Sequence, residues 1–206
     1  MVIPFFIALV LGIGAIYWIL LKNAADKIHT QYGKLAEAYN LELNQPPPTL
    51  AGFIRPEPSV YGELDGRELS ISVPGKGLQN TRQIETVLKL ALREKSFSAQ
   101  ITGSGLFSSF RQRDSGGMQR WKIGDEQLDA ALDVRTNQGD LCAHLFEDGR
   151  GQALADLIKA GKGSIYIGGG VLAYAELGLI ANEAVRERFQ SVLSLFTSAA
   201  EAIEGQ

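Results

Sequence analysis

The first 21 residues, Met1 to Leu21, constrain the fold most strongly because they carry no charged side chain. Thirteen of them are Leu, Ile, Val or Phe, which together contribute roughly −4 to −8 kcal/mol toward insertion into a bilayer. About 20 residues at a rise of about 1.5 Å each span the roughly 30 Å hydrocarbon layer. A buried core helix rarely stays apolar on every face for that length. The sequence therefore predicts one transmembrane helix over residues 1–21, in contact with the lipid bilayer.

A cleaved signal peptide is the competing interpretation of this stretch. It requires basic residues ahead of the apolar run, a shorter apolar segment and small residues at positions −3 and −1 of a cleavage site. The chain meets none of these requirements cleanly, since cutting after Ala25 would place Asn23 at position −3. We therefore expect an uncleaved anchor, with Tyr17 and Trp18 at one membrane interface.

The orientation of the anchor is predicted from the lysines that follow it. Lys22, Lys27 and Lys34 come after the span, whereas no Lys or Arg precedes it. The positive-inside rule then places the C-terminal domain in the cytoplasm, on a single-pass protein of the inner (plasma) membrane. A periplasmic domain is the alternative.

A helical pattern continues beyond the span and then stops at prolines. Apolar residues recur at spacings of four, three, one and three, which predicts an amphipathic neck helix over residues 22–40. The neck stripe is expected to pack on the chain's own domain, or else against a second copy as a short coiled coil. Three consecutive prolines then predict a Pro-rich linker over 41–59, followed by a soluble domain over 60–206. The stripe consists of Ile28, Tyr32, Leu35, Ala36 and Tyr39.

Alternation of period two replaces the helical pattern in the first half of the soluble domain. Asp65-Gly66 joins the first two predicted strands, because this pair closes a type I′ hairpin at low energetic cost. The successive short strands predict an antiparallel meander. The predicted strands cover residues 59–64, 67–73, 86–92, 96–102, 119–123 and 130–135.

Helical patterns dominate the second half. Residues 141–146 and 151–160 are predicted helices, and residues 164–167 and 171–175 a second hairpin. The last helix has an apolar face running from Val185 to Ile203 and a cap at Asn182. Strands followed by grouped helices predict an α+β domain, ending in a C-terminal amphipathic helix.

Three segments carry a family resemblance: Tyr32 to Glu37, Leu64 to Leu69, and Ile123 to Asp129 running into Leu132-Asp133-Val134. With these segments the chain resembles a group of uncharacterised bacterial single-pass membrane proteins. The soluble domain of that group is β-rich and carries a Gly-Asp-x-x-Phe-Asp-x-x-Phe-x-Val segment. This chain has Leu128 and Leu132 where the group has Phe. The resemblance implies a fold and no activity.

Net charge, cysteine count and motif spacing argue against three features: a nucleic-acid partner, an intramolecular disulfide and a phosphate loop. The formal charge of −3 and a pI near 5.5 argue against nucleic acid as a partner, because phosphate binding needs clustered Lys and Arg. A single cysteine, Cys142, permits no intramolecular disulfide. A phosphate loop is not predicted either, since Lys162 is followed by Gly163 instead of Ser or Thr.

The acidic cluster Asp125, Glu126, Asp129 and Asp133 is the densest set of chemically capable side chains. Such carboxylates serve acid–base catalysis or bind hard cations, but no Ca²⁺-loop spacing is present. We expect Asp125 to make a turn, and Asp129 and Asp133 to project from a solvated face. The sequence therefore assigns no catalytic, cofactor-binding or metal-ligating residue and predicts no cofactor.

Cys142 and His144 are the one close pair of soft metal ligands, too few for a zinc site, so Cys142 is predicted to be a core cysteine. The rival hypothesis is an enzyme or small-ligand binder with a site assembled from dispersed residues such as Asp125, Asp129 and His144.

A basic stretch from Arg111 through Arg113 and Arg120 to Lys122 is expected to be an exposed hairpin loop. Contact of this stretch with anionic lipid is the alternative. The leading functional hypothesis is a membrane-anchored, non-enzymatic module that binds another protein or a second copy of itself.

Overall fold

The computed structural model describes residues 2–74, 84–104 and 117–205. Within these ranges the chain is α+β, with a long apolar N-terminal helix, nine strands in one antiparallel sheet and further helices, which confirms the predicted fold class. The helices are α1 (Val2–Ala38), α2 (Glu126–Ala131), α3 (Gly139–Ala143), α4 (Arg150–Gly161) and α5 (Glu183–Glu204), with a short 3₁₀ turn at Leu50–Gly52. The strands are β1 (Glu42–Asn44), β2 (Ser59–Leu64), β3 (Arg67–Ser72), β4 (Glu85–Ala91), β5 (Ala99–Gly103), β6 (Gln119–Trp121), β7 (Leu132–Thr136), β8 (Ser164–Gly168) and β9 (Val171–Leu177).

Helix α1 runs without interruption through 37 residues, a length of about 55 Å. Its N-terminal part is long and apolar enough to cross a membrane, and the apolar window that qualifies has no buried residues. Its C-terminal part is the predicted neck, where Tyr32 and Leu35 are fully buried against the domain. The helix ends at Ala38, two residues before the predicted end of the neck at residue 40. Asn40, with a positive φ of 52°, turns the chain out of the helix toward β1.

The sheet order is β1-β2-β3-β4-β9-β8-β5-β7-β6, with every neighbouring pair antiparallel. The hairpin between β2 and β3 turns at Asp65 and Gly66, both with positive φ, as predicted for a type I′ turn. A simple meander through β4 and β5 is not what forms, because the β8–β9 hairpin lies between them. Strand β4 is buried along most of its length, and β9 pairs with all seven of its residues. Period-two alternation determines which face a side chain occupies, but it does not determine which strand becomes the neighbour.

Two further differences from the prediction concern helix α2 and strand β1. Residues 126–131, the first two of the predicted strand over 130–135 included, form helix α2, and the strand itself is β7. The predicted Pro-rich linker contains edge strand β1, which pairs with β2 from Glu42↔Tyr61 to Asn44↔Ser59. The segment between β1 and β2 is therefore held against the sheet at both ends.

The main core lies between one face of the sheet and helices α1, α4 and α5. Phe189 and Phe196 of α5 are buried there, and the Phe189 ring packs edge-on against Tyr174 at a centroid distance of 5.5 Å. A smaller cluster of Val87, Ala173 and Ala175 is separate from it. Asn182 caps α5 by accepting a hydrogen bond from the Val185 N–H at 3.0 Å, as predicted.

Two ion pairs attach α5 to the sheet. Near its N-terminal end, Arg188 donates to the buried Glu176 of β9, with Nε at 2.8 Å from Oε2. At its C-terminal end, Glu204 accepts two hydrogen bonds from Arg67 of β3. The C-terminal helix is therefore fixed at both ends by charged groups in addition to its apolar face.

Candidate functional site

The acidic residues of the predicted dispersed site stabilise the turn before α2. The Asp125 carboxylate accepts hydrogen bonds from the N–H groups of Gln127 at 2.8 Å and Leu128 at 3.1 Å, which makes it the N-cap of the helix. Asp129 accepts from the Ile123 N–H at 2.9 Å. Both carboxylates therefore satisfy backbone donors, and Asp125 makes the turn that the sequence predicted.

The expectation that Asp133 lies on a solvated face is wrong. It lies on β7 with 6% of its surface exposed, and the Arg120 Nε is 3.5 Å from its Oδ1. Asp129 and Asp133 were expected on a solvated face, but Asp133 lies in β7, a strand with neighbours on both sides, where four of the five residues are buried. Arg120, one of the predicted basic residues, is thus a partner of this carboxylate.

The structure also places Cys142 and His144, the pair of soft metal ligands in the sequence. Cys142 is fully buried, and burial raises the pKa of its thiol to about 12, so it is not a nucleophile at neutral pH. The expected core cysteine is confirmed. His144 has its Nδ1 at 2.9 Å from Glu147 Oε2. Among residues 2–74, 84–104 and 117–205, no group of three or more His, Cys, Asp or Glu side chains is placed to hold a metal ion.

The buried polar cluster of Tyr174, Glu176 and Arg188 is closed to ligands. The Tyr174 hydroxyl donates to Glu176 Oε2 at 2.8 Å, and burial together with this carboxylate raises the pKa of the tyrosine. Gly161 and Gly163 lie directly against the cluster, where an added Cβ would come within 2.3 Å and 2.5 Å of Tyr174 atoms. The cluster is therefore filled by its own neighbours and holds α5 on the sheet.

The basic stretch beginning at Arg111 falls partly outside the described residues, which resume at Gly117. Arg111 and Arg113 lie in that gap. Of the remaining two, Arg120 pairs with Asp133 and Lys122 is exposed.

A surface that the sequence did not single out lies beside the apolar part of helix α1. Residues 49–55, which we call the juxtamembrane loop, follow the three prolines and fold back toward α1. A bridge between Thr49 and Ile54 closes the loop, with the Thr49 N–H donating to Ile54 O at 2.8 Å and the Ile54 N–H to Thr49 O at 3.2 Å. Inside it, the Gly52 N–H donates to Thr49 O and the Phe53 N–H to Leu50 O. The loop is therefore a closed turn with defined geometry.

The tip of the loop is apolar and exposed. Leu50 is 69% exposed, Ile54 51% and Phe53 46%. Leu50 and Ala51 also have positive φ values of 48° and 54°, a conformation that costs L residues with a Cβ about 1–2 kcal/mol each. Side chains of this kind are normally turned toward a core, so this surface is unusual.

Trp18 of α1 holds the loop. Its indole N–H donates to Ala51 O at 3.1 Å, and the backbone of Gly52 lies so close that an added Cβ would be 3.0 Å from Trp18 Nε1. Two cations flank the same ring, with Lys22 Nζ at 5.7 Å and the Arg55 guanidinium at 6.0 Å from its centroid. Arg55 Nε is buried and has no hydrogen-bond partner among the described residues.

A cleft beside the loop separates the neck from the proline segment. Its volume is about 80 Å³, and its lining includes Ala25, Ile28, Pro46, Arg55 and Leu179. Pockets for small organic ligands typically occupy about 300–1,000 Å³, so this cleft does not support the small-ligand hypothesis.

Sequence reasoning missed the juxtamembrane loop because it treated residues 41–59 as a linker. A usable signal was present. Residues 50–54 are Leu-Ala-Gly-Phe-Ile, an apolar run in a segment bounded by Pro48 and Pro56. A solvated linker has no reason to carry three large apolar side chains within five residues.

Comparison with known proteins gives one likeness of fold. No protein-family model matches the sequence, and no curated relative does. The fold is similar to that in the crystal structure of the mycobacterial trehalose monomycolate transport factor A, TtfA, with a TM-score of 0.57. The similarity covers 86% of this chain and 94% of that chain at 10% sequence identity. At that identity the likeness shows the fold alone.

Proposed function

We propose that this chain is a membrane-anchored, non-enzymatic accessory protein that holds its sheet domain at the surface of the inner (plasma) membrane and binds another protein there. The observation that carries the proposal is the continuity of α1. One helix contains the apolar stretch and also supplies Tyr32 and Leu35 to the domain core.

The buried neck couples the domain rigidly to the anchor. A flexible tether would let the domain rotate freely, whereas here the neck contacts α5, β1 and β2. Arg186 of α5 adds a polar contact, with Nε at 3.1 Å from the Gln31 side-chain oxygen. Such coupling suits a protein that presents a surface in a fixed orientation to a membrane partner. It also covers the neck stripe, which favours packing on the domain over the alternative of a coiled coil between two copies.

The non-enzymatic part of the proposal is supported by how the polar candidates are used. Asp125 and Asp129 hold a turn, and Tyr174, Glu176 and Arg188 form a closed cluster. The protein of similar fold is named as a transport factor, so we propose that the partner is a component of a membrane transport assembly. We also propose that the chain belongs with the bacterial single-pass proteins that its motifs resemble.

The proposed orientation places the domain in the cytoplasm, on the strength of Lys22, Lys27 and Lys34 following the span. Cysteine labelling on intact cells tests it, with Gln152→Cys as the reporter because this side chain is exposed on α4. Buried Cys142 gives little background. Protection from an impermeant thiol reagent until lysis is expected, and labelling of intact cells would place the domain outside.

Partner binding is tested by photo-crosslinking in native membranes with the full chain, followed by mass spectrometry. A matched variant carries a five-residue Gly-Ser insertion between Asp26 and Lys27, which keeps the anchor and the domain but uncouples them. We expect a discrete crosslinked membrane protein with the natural chain and a weaker yield with the insertion. A chain that stays monomeric and gives no crosslinked product above background would contradict the proposal.

A further inference from the structure

We propose that the juxtamembrane loop, residues 49–55, is a second membrane contact, whose apolar tip enters the bilayer on the side where α1 leaves it. The inference rests on the proposed membrane anchoring and adds to it the depth and orientation of the domain. The contact joins two features of the structure, the exposed apolar tip and its attachment to Trp18.

The depth of the loop follows from its contact with α1. Trp18 lies three residues before Leu21, the end of the uncharged stretch, which is about 5 Å along the helix axis at about 1.5 Å per residue. Helical side chains tilt toward the N-terminus, so the indole points deeper into the apolar layer. Because Ala51 O is 3.1 Å from Trp18 Nε1, the loop tip lies at the level of lipid, below the plane marked by Lys22. Interfacial apolar segments are buried about 5–10 Å into this boundary.

The exposed apolar side chains are concentrated at this level. Outside α1, six large hydrophobic residues of the described ranges are strongly exposed, and half of them are Leu50, Phe53 and Ile54. They continue the lipid-facing surface of α1, where Tyr17 and Leu20 are 57% and 61% exposed. A lipid bilayer is the environment that favours both the apolar tip of the loop and the exposed apolar surface of α1.

The loop backbone fits an apolar environment as well. Non-helical backbone enters a bilayer only where its polar groups are satisfied internally. The N–H groups of residues 49, 52, 53 and 54 all donate to carbonyls within the loop, and Ala51 O accepts from Trp18.

The cations beside the loop lie where lipid phosphates would be. Lys22 and Arg55 flank the Trp18 ring that holds the loop, at 5.7 Å and 6.0 Å from its centroid. The half-buried Arg55 side chain and Lys22 present positive charge that a headgroup phosphate attracts, and long basic side chains reach this level from the edge of an apolar segment. The arrangement of apolar tip, indole and basic residues matches the chemistry of a membrane interface from inside to outside.

The test uses the full chain reconstituted in phosphatidylcholine–phosphatidylglycerol vesicles. A solvent-sensitive fluorophore is attached at Phe53→Cys, and quenching by shallow spin-labelled lipid is compared with quenching by aqueous iodide. The same label at Gln152→Cys on α4 is the water-exposed control, and at Ile13→Cys it is the lipid-exposed control. We expect position 53 to behave like position 13, with stronger quenching by lipid than by iodide.

The controls separate the failure of this inference from failure of the anchor. Iodide quenching at position 53 together with lipid quenching at position 13 would overturn the loop contact and leave the anchor intact. Iodide quenching at both positions would overturn the anchor itself. Shielding of position 53 from both quenchers would place the loop against protein, and would also overturn the proposal.

Two variants test whether the loop itself drives insertion. Leu50→Ser in the labelled Phe53→Cys chain removes an exposed side chain, so the fold should persist while lipid quenching at position 53 falls. Gly52→Ala places a Cβ against Trp18 at a position with a φ of +89°, and should weaken lipid quenching by displacing the loop. Unchanged lipid quenching in both variants would refute an inserted tip.

Discussion

The ion pair between Arg67 and Glu204 joins β3 to the last turn of α5, and its loss should have a large effect for a single substitution. Arg67 Nη1 donates to Glu204 Oε1 at 2.9 Å and Nη2 to Oε2 at 2.7 Å. The two side chains are 9% and 10% exposed. Replacing Arg67 with Met keeps the length of the apolar stem but leaves the carboxylate without its charged partner.

The magnitude follows from burial. Removing one partner of a fully buried ion pair costs about 3–5 kcal/mol. Here about a tenth of each side chain meets water, and the Arg93 N–H still donates to Glu204. We therefore expect Arg67→Met to lower the free energy of unfolding by about 2–3 kcal/mol. At about 2–4 °C per kcal/mol for a domain of this size, the melting temperature should fall by about 4–12 °C.

Arg93→Met is the matched control because it removes a cation near the same carboxylate. Arg93 is 79% exposed and its Nε lies 3.9 Å from Glu204 Oε2, so its loss should cost less than about 0.5 kcal/mol. Thermal unfolding of the full chain in detergent, followed by far-ultraviolet circular dichroism, measures both variants. Equal melting temperatures for the two variants would refute the reasoning from burial.

The pH dependence gives a second measurement on the same pair. The hydrogen bonds from Arg67 lower the pKa of Glu204, so the folded state favours the ionised carboxylate. Its contribution is fully present above the unfolded pKa of about 4.3 and is lost as the pH falls through the lower folded pKa. The difference in stability between the natural chain and Arg67→Met should therefore be constant near neutral pH and shrink below about pH 4. A difference that grew on acidification would have the wrong sign.

The remaining predictions concern the core and the neck, and each uses the same thermal assay unless stated. Leu35→Ala should destabilise the chain by about 2–5 kcal/mol, because the side chain is fully buried where the neck meets the domain; a neutral result would mean that the neck is not part of the fold. Gly163→Ala should cost about 1–3 kcal/mol, since its Cβ would lie 2.5 Å from the buried Tyr174 ring. Gly33→Ala should have the opposite sign and stabilise α1 by up to about 1 kcal/mol, because an added Cβ has nothing within 4 Å. Cys142 should resist a thiol reagent at pH 8 and react once the chain unfolds, since burial raises its pKa to about 12; rapid labelling of the folded chain would show an open core.

Local sequence patterns predicted the elements that are determined by residues close together in the chain. Asp65-Gly66 adopts two consecutive positive φ values, a property that few residue pairs share. The apolar face of α5 and its cap at Asn182 were equally readable, because spacing and capping act within one or two turns. The uncharged stretch of α1 needed no partner to be recognised.

The order of the strands could not be read in the same way. Strands β4 and β5 are consecutive in the chain, yet the β8–β9 hairpin, some 60 residues further on, separates them. This choice depends on shape and burial across the whole sheet, which alternation within one strand does not encode. The expectation of a solvated face for Asp133 was wrong for a related reason, since its burial depends on which strands flank β7.

The juxtamembrane loop could not be predicted from the prolines that flank it, because they indicate only a break in regular structure. Prolines at 46–48, 56 and 58 indicate irregular backbone, but they do not indicate whether that backbone is solvated. Ala51 of the loop is hydrogen-bonded to Trp18, which lies 33 residues earlier in the chain. A contact at that distance has no periodic trace in the sequence.

Because helix α1 is uninterrupted, the number of residues between Trp18 and the neck fixes the direction in which the domain faces. Each residue of an α-helix advances the chain by about 1.5 Å and turns it by about 100°, so one alanine inserted after Lys22 would swing the juxtamembrane loop about a quarter turn away from Trp18. Seven inserted residues would return it to within about 20° of its first direction but raise it by about 10 Å. One residue count in α1 therefore sets both the direction in which the domain faces and its distance from the apolar stretch, and an insertion of fewer than about seven residues changes both.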